Sequence, residues 1–157
     1  MAYSFEQTED VAVIKSVLAH PACYRFLHDD FAPAREEWEP IIHPMVKYFA
    51  CLKNGAVIGM FIGSLHSAVE VEIHTAFLPE AWGRDVRKAA IEFREWIWAT
   101  FPSIQRIIGK VLPSNKASMR YAEAMGFKAF GIDHKSFMFD GKLQDQIYFG
   151  MSRPGVA

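Results

Sequence analysis

Glu72 and His74 are the pair in this chain best suited to proton chemistry. They lie two residues apart in Val69-Glu70-Val71-Glu72-Ile73-His74-Thr75-Ala76-Phe77, which alternates as a strand does. Residues two apart in a strand project from one face. The carboxylate and the imidazole therefore share a face with Glu70 and Ala76, while Val69, Val71, Ile73 and Thr75 take the other. An imidazole titrates near neutral pH and can accept a proton from a nucleophile. The plainer alternative makes His74 a half-buried, hydrogen-bonded residue and Glu72 a charge at an opening of the sheet. His28-Asp29-Asp30 also carries ligand-type side chains, but no second ligand pair has suitable spacing. It reads as a solvated loop, and no metal site is expected.

A second informative stretch is Pro113-Ser114-Asn115-Lys116-Ala117-Ser118-Met119-Arg120-Tyr121-Ala122-Glu123-Ala124-Met125-Gly126-Phe127. Ser114 or Asn115 can cap a helix by accepting a hydrogen bond from a first-turn amide. Met119, Ala122 and Met125, with the small Ser118, form a narrow apolar stripe suited to lying on a sheet. Gly126 fits the left-handed position just past a helix end.

The elements that must hold these residues follow from pattern. Thr8 reads as an N-cap with Glu9 and Asp10 in the first turn, ahead of a helix with Val11, Ile14 and Leu18 on its buried stripe. Residues 22–44, broken by Pro33, Pro40 and Pro44, read as short helices and loops, with Glu36-Glu37-Trp38-Glu39 as one short helix. Tyr48–Leu52, Asn54-Gly55 and Ala56–Leu65 read as a hairpin. After the strand at 69–77, a long helix is expected over 84–100, where Val86, Ala89, Ala90, Phe93, Trp96 and Ile97 repeat at helical spacing. Ile104–Val111 reads as a buried strand, followed by the 114–125 helix. Residues 127–130, 134–139 and 144–151 close the sheet around a second turn at Asp140-Gly141. The hairpins imply antiparallel pairing, and the strand–helix–strand stretch from 69 to 111 implies one parallel pair. The expected fold is one α/β domain over 1–157, a mixed sheet with helices on both faces.

Composition narrows the function classes. Hydrophobic residues make up 51% of the 157 and charged residues 22%, which suits an ordered core. The formal net charge of −1 gives no basic excess for nucleic acid. The apolar run Val57–Gly63 is too short to span a bilayer, and the first residues lack a secretory pattern. Cys23 and Cys51 make neither a disulfide framework nor a zinc site, so a reducing, cytoplasmic setting is expected. Thirteen Phe, five Tyr and four Trp point to a core rich in large side chains. A homodimer is compatible with the sequence, which does not fix the oligomeric state.

The 113–127 segment and the order of elements resemble the GCN5-related N-acetyltransferase (GNAT) superfamily over nearly the whole chain. Glu72-Ile73-His74-Thr75-Ala76-Phe77-Leu78-Pro79-Glu80 resembles its central strand running into the coenzyme loop. Asp140-Gly141-Lys142-Leu143-Gln144-Asp145-Gln146-Ile147-Tyr148 resembles its closing hairpin. Residues 69–83 are also similar to acetyltransferase-like proteins carried by bacteriophages. The resemblance implies a mostly antiparallel sheet with a splayed central parallel pair, and acetyl-CoA as cosubstrate. It places the pantetheine arm against the backbone of Thr75, Ala76 and Phe77, with Asn115 helping to hold it. It places the pyrophosphate at Trp82-Gly83-Arg84-Asp85-Val86-Arg87, where a helix N-terminus favours an anion.

The sequence departs from the family pattern in that loop. Gln or Arg is usual at the place of Trp82, Gly at that of Asp85, and Gly or Ala at that of Arg87. An uncompensated Asp85 facing phosphate would weaken binding by about a thousandfold. Arg84, Arg87 and Lys88 offer compensation, and an acid in a first turn also suits the helix dipole. The family's usual acid is a Tyr in the last helix, whose place here is Ala122. Tyr121 lies one residue early, about 100° around a helix, and is expected to point elsewhere. In one branch a base precedes the Asn by five residues, which here is Lys110, a poor base unless its pKa is lowered. Any acyl transfer is therefore expected to depend on Glu72 and His74 more than on Tyr121. Two readings stay open: an acyl-CoA N-acyltransferase acting on an amine of a small molecule or protein, and a non-catalytic module, such as a phage structural or assembly protein, that keeps the scaffold and has lost the coenzyme site.

Overall fold

The computed structural model describes residues 2–156. Seven strands form one sheet in the order β1-β2-β3-β4-β5-β7-β6. The strands are β1 (Tyr3–Thr8), β2 (Val46–Lys53), β3 (Ala56–Leu65), β4 (Glu70–Phe77), β5 (Arg106–Val111), β6 (Lys128–Phe139) and β7 (Lys142–Ser152). The helices are α1 (Val11–Leu18), α2 (Pro21–Leu27), α3 (Arg84–Thr100) and α4 (Lys116–Ala124). All neighbouring strands pair antiparallel except β4 and β5. This is the mixed fold expected from the alternation of hairpins with the strand–helix–strand unit.

The first strand is a correction to the sequence reading. Tyr3 and Phe5 are buried while Ser4 and Glu6 are exposed, the period of a half-buried strand. Six residues make a short pattern, and the acids that follow suggest a helix start instead. Thr8 ends the strand, and its Oγ1 accepts from the Asp10 amide at 3.0 Å. Asp10 is the true N-cap of α1, its Oδ1 accepting from the amides of Ala12 and Val13. Pro21 opens α2 in the first helical turn, where a missing amide costs nothing. Between α2 and β2 the only helical turn among the described residues is a 3-10 turn at Arg35–Glu37. Both hairpin turns have the expected left-handed pairs, Asn54-Gly55 at φ 52° and 80° and Asp140-Gly141 at φ 52° and 74°.

Two apolar cores flank the sheet. One joins Phe5, Phe49, Phe61, Val71 and Phe77 of the strands to Ala90, Phe93 and Ile97 of α3 and Met125 after α4. Phe61 and Phe93 stack within it, with ring centroids 3.8 Å apart. The other joins Tyr48, Ala50, Met60 and Ala76 to Ile14, Val17 and Leu18 of α1 and Cys23 of α2. The sheet thus has an α3–α4 face and an α1–α2 face. Gly59 lets the Phe77 ring lie across β3, since a Cβ there would sit 2.5 Å from that ring.

The feature that positions the site is the short run of parallel pairing. β4 and β5 pair at Glu70 with Arg106, Val71 with Ile107 and Glu72 with Ile108, and at no later residue. Beyond Glu72 the two strands diverge, and the sheet opens.

Candidate functional site

A cavity of about 460 Å³ occupies that opening. It is lined from both faces of the sheet. On the α3–α4 face it is bounded by Ile73, Thr75 and Phe77 of β4, Val86 and Ala90 of α3, and Ser118, Tyr121 and Ala122 of α4. On the α1–α2 face it is bounded by His74 of β4, Lys110 of β5, Phe26 and Leu27 of α2, and Phe137 and Gln146 of the last two strands. Strand register explains the second group. Lys110 pairs with Tyr148, and Gln146 lies two residues from it in β7, so both project to one face.

His74 is turned into this cavity, and Glu72 stands behind it. Glu72 is 8% exposed and is the one buried charged residue among those described. Its Oε2 lies 2.5 Å from His74 Nε2, and its Oε1 lies 2.9 Å from His66 Nε2. The hydrogen bond from His74 holds the Glu72 carboxyl below its usual range against the opposing effect of burial. His66 and Lys110 add to that depression. A carboxylate can only accept, so the proton of a neutral His74 ring sits on Nε2, and Nδ1 is left as the basic nitrogen. Glu72, expected to flank the pocket directly, does not line it and instead bonds the His74 and His66 rings from behind. His66 escapes a reading of the sequence because it lies beyond the end of β3. Its signal is a spacing of two from Ser64, which pairs with Glu72.

Tyr121 also departs from expectation. It lines the cavity and packs against the α3-side core, rather than pointing elsewhere. Ala122 lines the same cavity, because a pocket this wide spans more than 100° of the α4 surface. Burial pushes the Tyr121 phenol up to about 12, with the neighbouring Thr75 side chain pulling the other way. The phenol therefore keeps its proton at neutral pH. Lys110 is unsuited to be a base. Burial favours its neutral form, but hydrogen bonds to Tyr148 and Asp133 outweigh that and raise its pKa.

Asn115 resolves the choice of cap. Its Oδ1 accepts from the Ser118 amide at 3.1 Å, and the residue borders the cavity. Of the three β4 positions, Thr75 and Phe77 face the cavity, whereas the Ala76 side chain packs into the α1–α2 core. The Phe77 carbonyl accepts from the Trp82 indole at 2.8 Å and from Cys23 Sγ at 3.3 Å. Trp82 thereby closes the end of β4, at a place where Gln or Arg is the usual residue.

The loop at 83–87 carries a further departure from expectation. Asp85 does not project toward the opening. Its carboxylate accepts from the Tyr3 hydroxyl at 2.5 Å and pairs with Lys53 Nζ at 3.0 Å. These bonds hold its carboxyl below the usual range, the Tyr3 bond first. Its charge is satisfied on the β1–β2 side, by Tyr3 and Lys53. Gly83 adopts φ 89° ahead of α3 with no side-chain cap, so the first amides of α3 keep no capping partner. Arg84, Arg87 and Lys88 are exposed around that helix start and make no ion pair among the described residues. Among the described residues no group of His, Cys, Asp and Glu is arranged to hold a metal, and no helix is long and apolar enough to cross a membrane.

A family model described as an acetyltransferase (GNAT) domain matches residues 4–128. Among solved structures, the chain is similar to the spermidine N-acetyltransferase of Vibrio cholerae in complex with CoA and spermine. The TM-score is 0.76 at 16% identity, covering 96% of this chain and 95% of that one. It is also similar to the ribosomal-protein-S5-alanine acetyltransferase of Vibrio fischeri, with a TM-score of 0.69 at 18% identity, covering 99% of this chain and 95% of that one. Among curated protein sequences none matches this chain. At these identities the structural likeness speaks for the fold, and the family match speaks for the family.

Proposed function

The chain belongs to the GNAT acetyltransferase family, and on that premise we propose that it is an acyl-CoA-dependent N-acyltransferase acting on an amine. The observation that carries the reading is the open gap between β4 and β5, with a Glu-held imidazole on one face and a protonated phenol on the other. Acetyl-CoA enters from the α3–α4 face, with the pantetheine arm along Thr75 and Phe77. The pyrophosphate rests on the amides at 83–87, favoured by the helix dipole and by the exposed Arg84, Arg87 and Lys88. Asn115 fixes the start of α4 beside the arm.

The acceptor amine approaches from the α1–α2 face. Its nitrogen attacks the thioester carbonyl, a C–N bond forms, and the C–S bond breaks. His74 Nδ1 takes the amine proton, while Glu72 holds the ring and stabilises its cationic form. Tyr121 donates its phenolic proton to the departing thiolate and is reprotonated after product leaves. His74 and Tyr121 are the catalytic residues of this scheme.

A second reading, a scaffold that has lost its coenzyme, draws on Asp85 and Arg87 standing where small residues are usual. The retention of Asp85 by Tyr3 and Lys53 removes one of its supports, and Arg87 and the Ala122 at the usual place of Tyr remain. Calorimetric titration with acetyl-CoA separates the two readings. We expect saturable binding that Asn115→Ala weakens while the fold persists. An absence of binding to the unaltered chain would leave the scaffold reading standing.

A further inference from the structure

The acceptor side of the cavity has a composition that selects among amines, an inference that rests on the transferase reading above. Phe26 is 69% exposed although it is a large apolar residue on α2, and it borders the cavity. Leu27 follows it, and Phe137 of β6 lines the same mouth. Solvent-facing phenylalanine at the rim of a cavity is a surface waiting for apolar contact.

The two sides of the mouth are tied together. Asp30, just after α2, accepts from the amides of Asp140 and Gly141 at the β6–β7 turn, at 3.0 and 2.8 Å. Its own amide donates to the Met138 carbonyl. Arg25 of α2 pairs with Asp30 and Asp140 and stacks on the Phe139 ring at 3.8 Å. These bonds tie the α2 end to the last hairpin, so Phe26 and Phe137 flank a preformed slot.

Charge is distributed against a polycation. Among the described residues, no carboxylate lines the cavity. Four nearby acids have cationic or imidazole partners: Glu72 has His66 and His74, Asp133 has Lys110, and Asp30 and Asp140 share Arg25, while Asp29 accepts from the Phe31 amide. Of the two charged groups that line it, Lys110 lies on the acceptor side and is paired with Asp133, while Arg94 lies on α3 across the sheet and is paired with Glu95. A polyamine that gives up one proton still carries further ammonium charges, and burying them in a cavity whose lining offers no carboxylate is unfavourable. An amine on an apolar body leaves no such charge once His74 has taken its proton.

We propose that the acceptor is a monoamine on an apolar, aromatic body, gripped between Phe26 and Phe137, and that polyamines are poor acceptors. The test measures CoA release by the full chain with acetyl-CoA and three probes: 2-phenylethylamine, spermidine, and a short peptide with an N-terminal Phe. Either aromatic probe should exceed spermidine in kcat/KM by about tenfold or more. Which of the two is better tells whether the amine is carried by a small molecule or a peptide. Phe26→Ala, at an exposed site that folding does not depend on, should raise KM for the better aromatic probe about tenfold. Phe137→Ala should act the same way, and neither should alter the Kd of acetyl-CoA.

Spermidine matching the aromatic probes, an unmoved KM in Phe26→Ala, or coenzyme binding with no turnover of any probe would each overturn the proposal and leave coenzyme binding intact. Failure to bind acetyl-CoA would instead remove the transferase reading and this inference with it.

Discussion

The two sides of the β4–β5 gap are built from different materials. On the α3–α4 face, Thr75, Phe77, Phe93, Tyr121 and Met125 form a continuation of the larger core. Its polar groups are the Thr75 and Ser118 hydroxyls, the Tyr121 phenol, the Asn115 amide and one cation, Arg94, which donates to the Met125 carbonyl and pairs with Glu95. On the α1–α2 face, a buried carboxylate stands between two imidazoles and beside a lysine paired to Asp133. A mostly apolar wall suits a long thioester arm whose binding is mostly surface burial. A titratable wall suits an amine that must lose a proton. One opening in one sheet therefore offers two chemically different walls, because a strand sends alternate side chains to opposite faces.

The largest expected effect tests that division directly. His74→Ala should lower kcat/KM by about a hundredfold or more, the usual contribution of a general base, and leave the Kd of acetyl-CoA unchanged. Tyr121→Phe should lower kcat by about tenfold, with its effect growing for thioesters whose thiol is more basic. A larger loss in Tyr121→Phe than in His74→Ala would reverse the roles given to the two faces.

A smaller effect concerns the charge behind His74. The Glu72 carboxyl is held below its ordinary value of 4.5, so it stabilises the fold when ionised. That contribution is fully present above about pH 4.5 and is lost as pH falls through the folded-state pKa. Glu72→Gln removes it. The melting temperatures of the two proteins should differ most at pH 7 and converge toward pH 3, as followed by circular dichroism. A constant gap across that range would show that the carboxylate charge contributes nothing beyond its shape.

The smallest expected effect lies at α3. Were the Asp85 carboxylate to face phosphate, Asp85→Gly would tighten coenzyme binding. With Asp85 engaged by Tyr3 and Lys53, the Kd for acetyl-CoA should instead change little. The fold should lose about 2–4 °C in Tm from a glycine in the helix and the lost partners. Tighter binding measured by calorimetry would mean that Asp85 swings toward the coenzyme in solution.

Much of this molecule is legible in its residues one after another. The Asn54-Gly55 and Asp140-Gly141 turns, the 84–100 helix and the strand at Glu70–Phe77 follow from backbone preference and periodicity, which are local properties. The first strand escapes such a reading because six residues carry too short a pattern to compete with the cap signal beside them. Asn115 and His74 are also visible, one as a cap and one as an unusual residue on an alternating strand.

By itself, then, the sequence determined the order and type of most elements, the family resemblance and the candidates for chemistry. Only the tertiary structure decided their surroundings and partners. His66 meets Glu72 because β3 and β4 pair, Asp85 turns to Lys53 because α3 starts beside β2, and Tyr121 enters the cavity because α4 lies over the gap. The physical reason is the same in each case. Periodicity fixes which face a side chain takes on its own element, but its partner is supplied by another element, and that depends on how the sheet and helices pack.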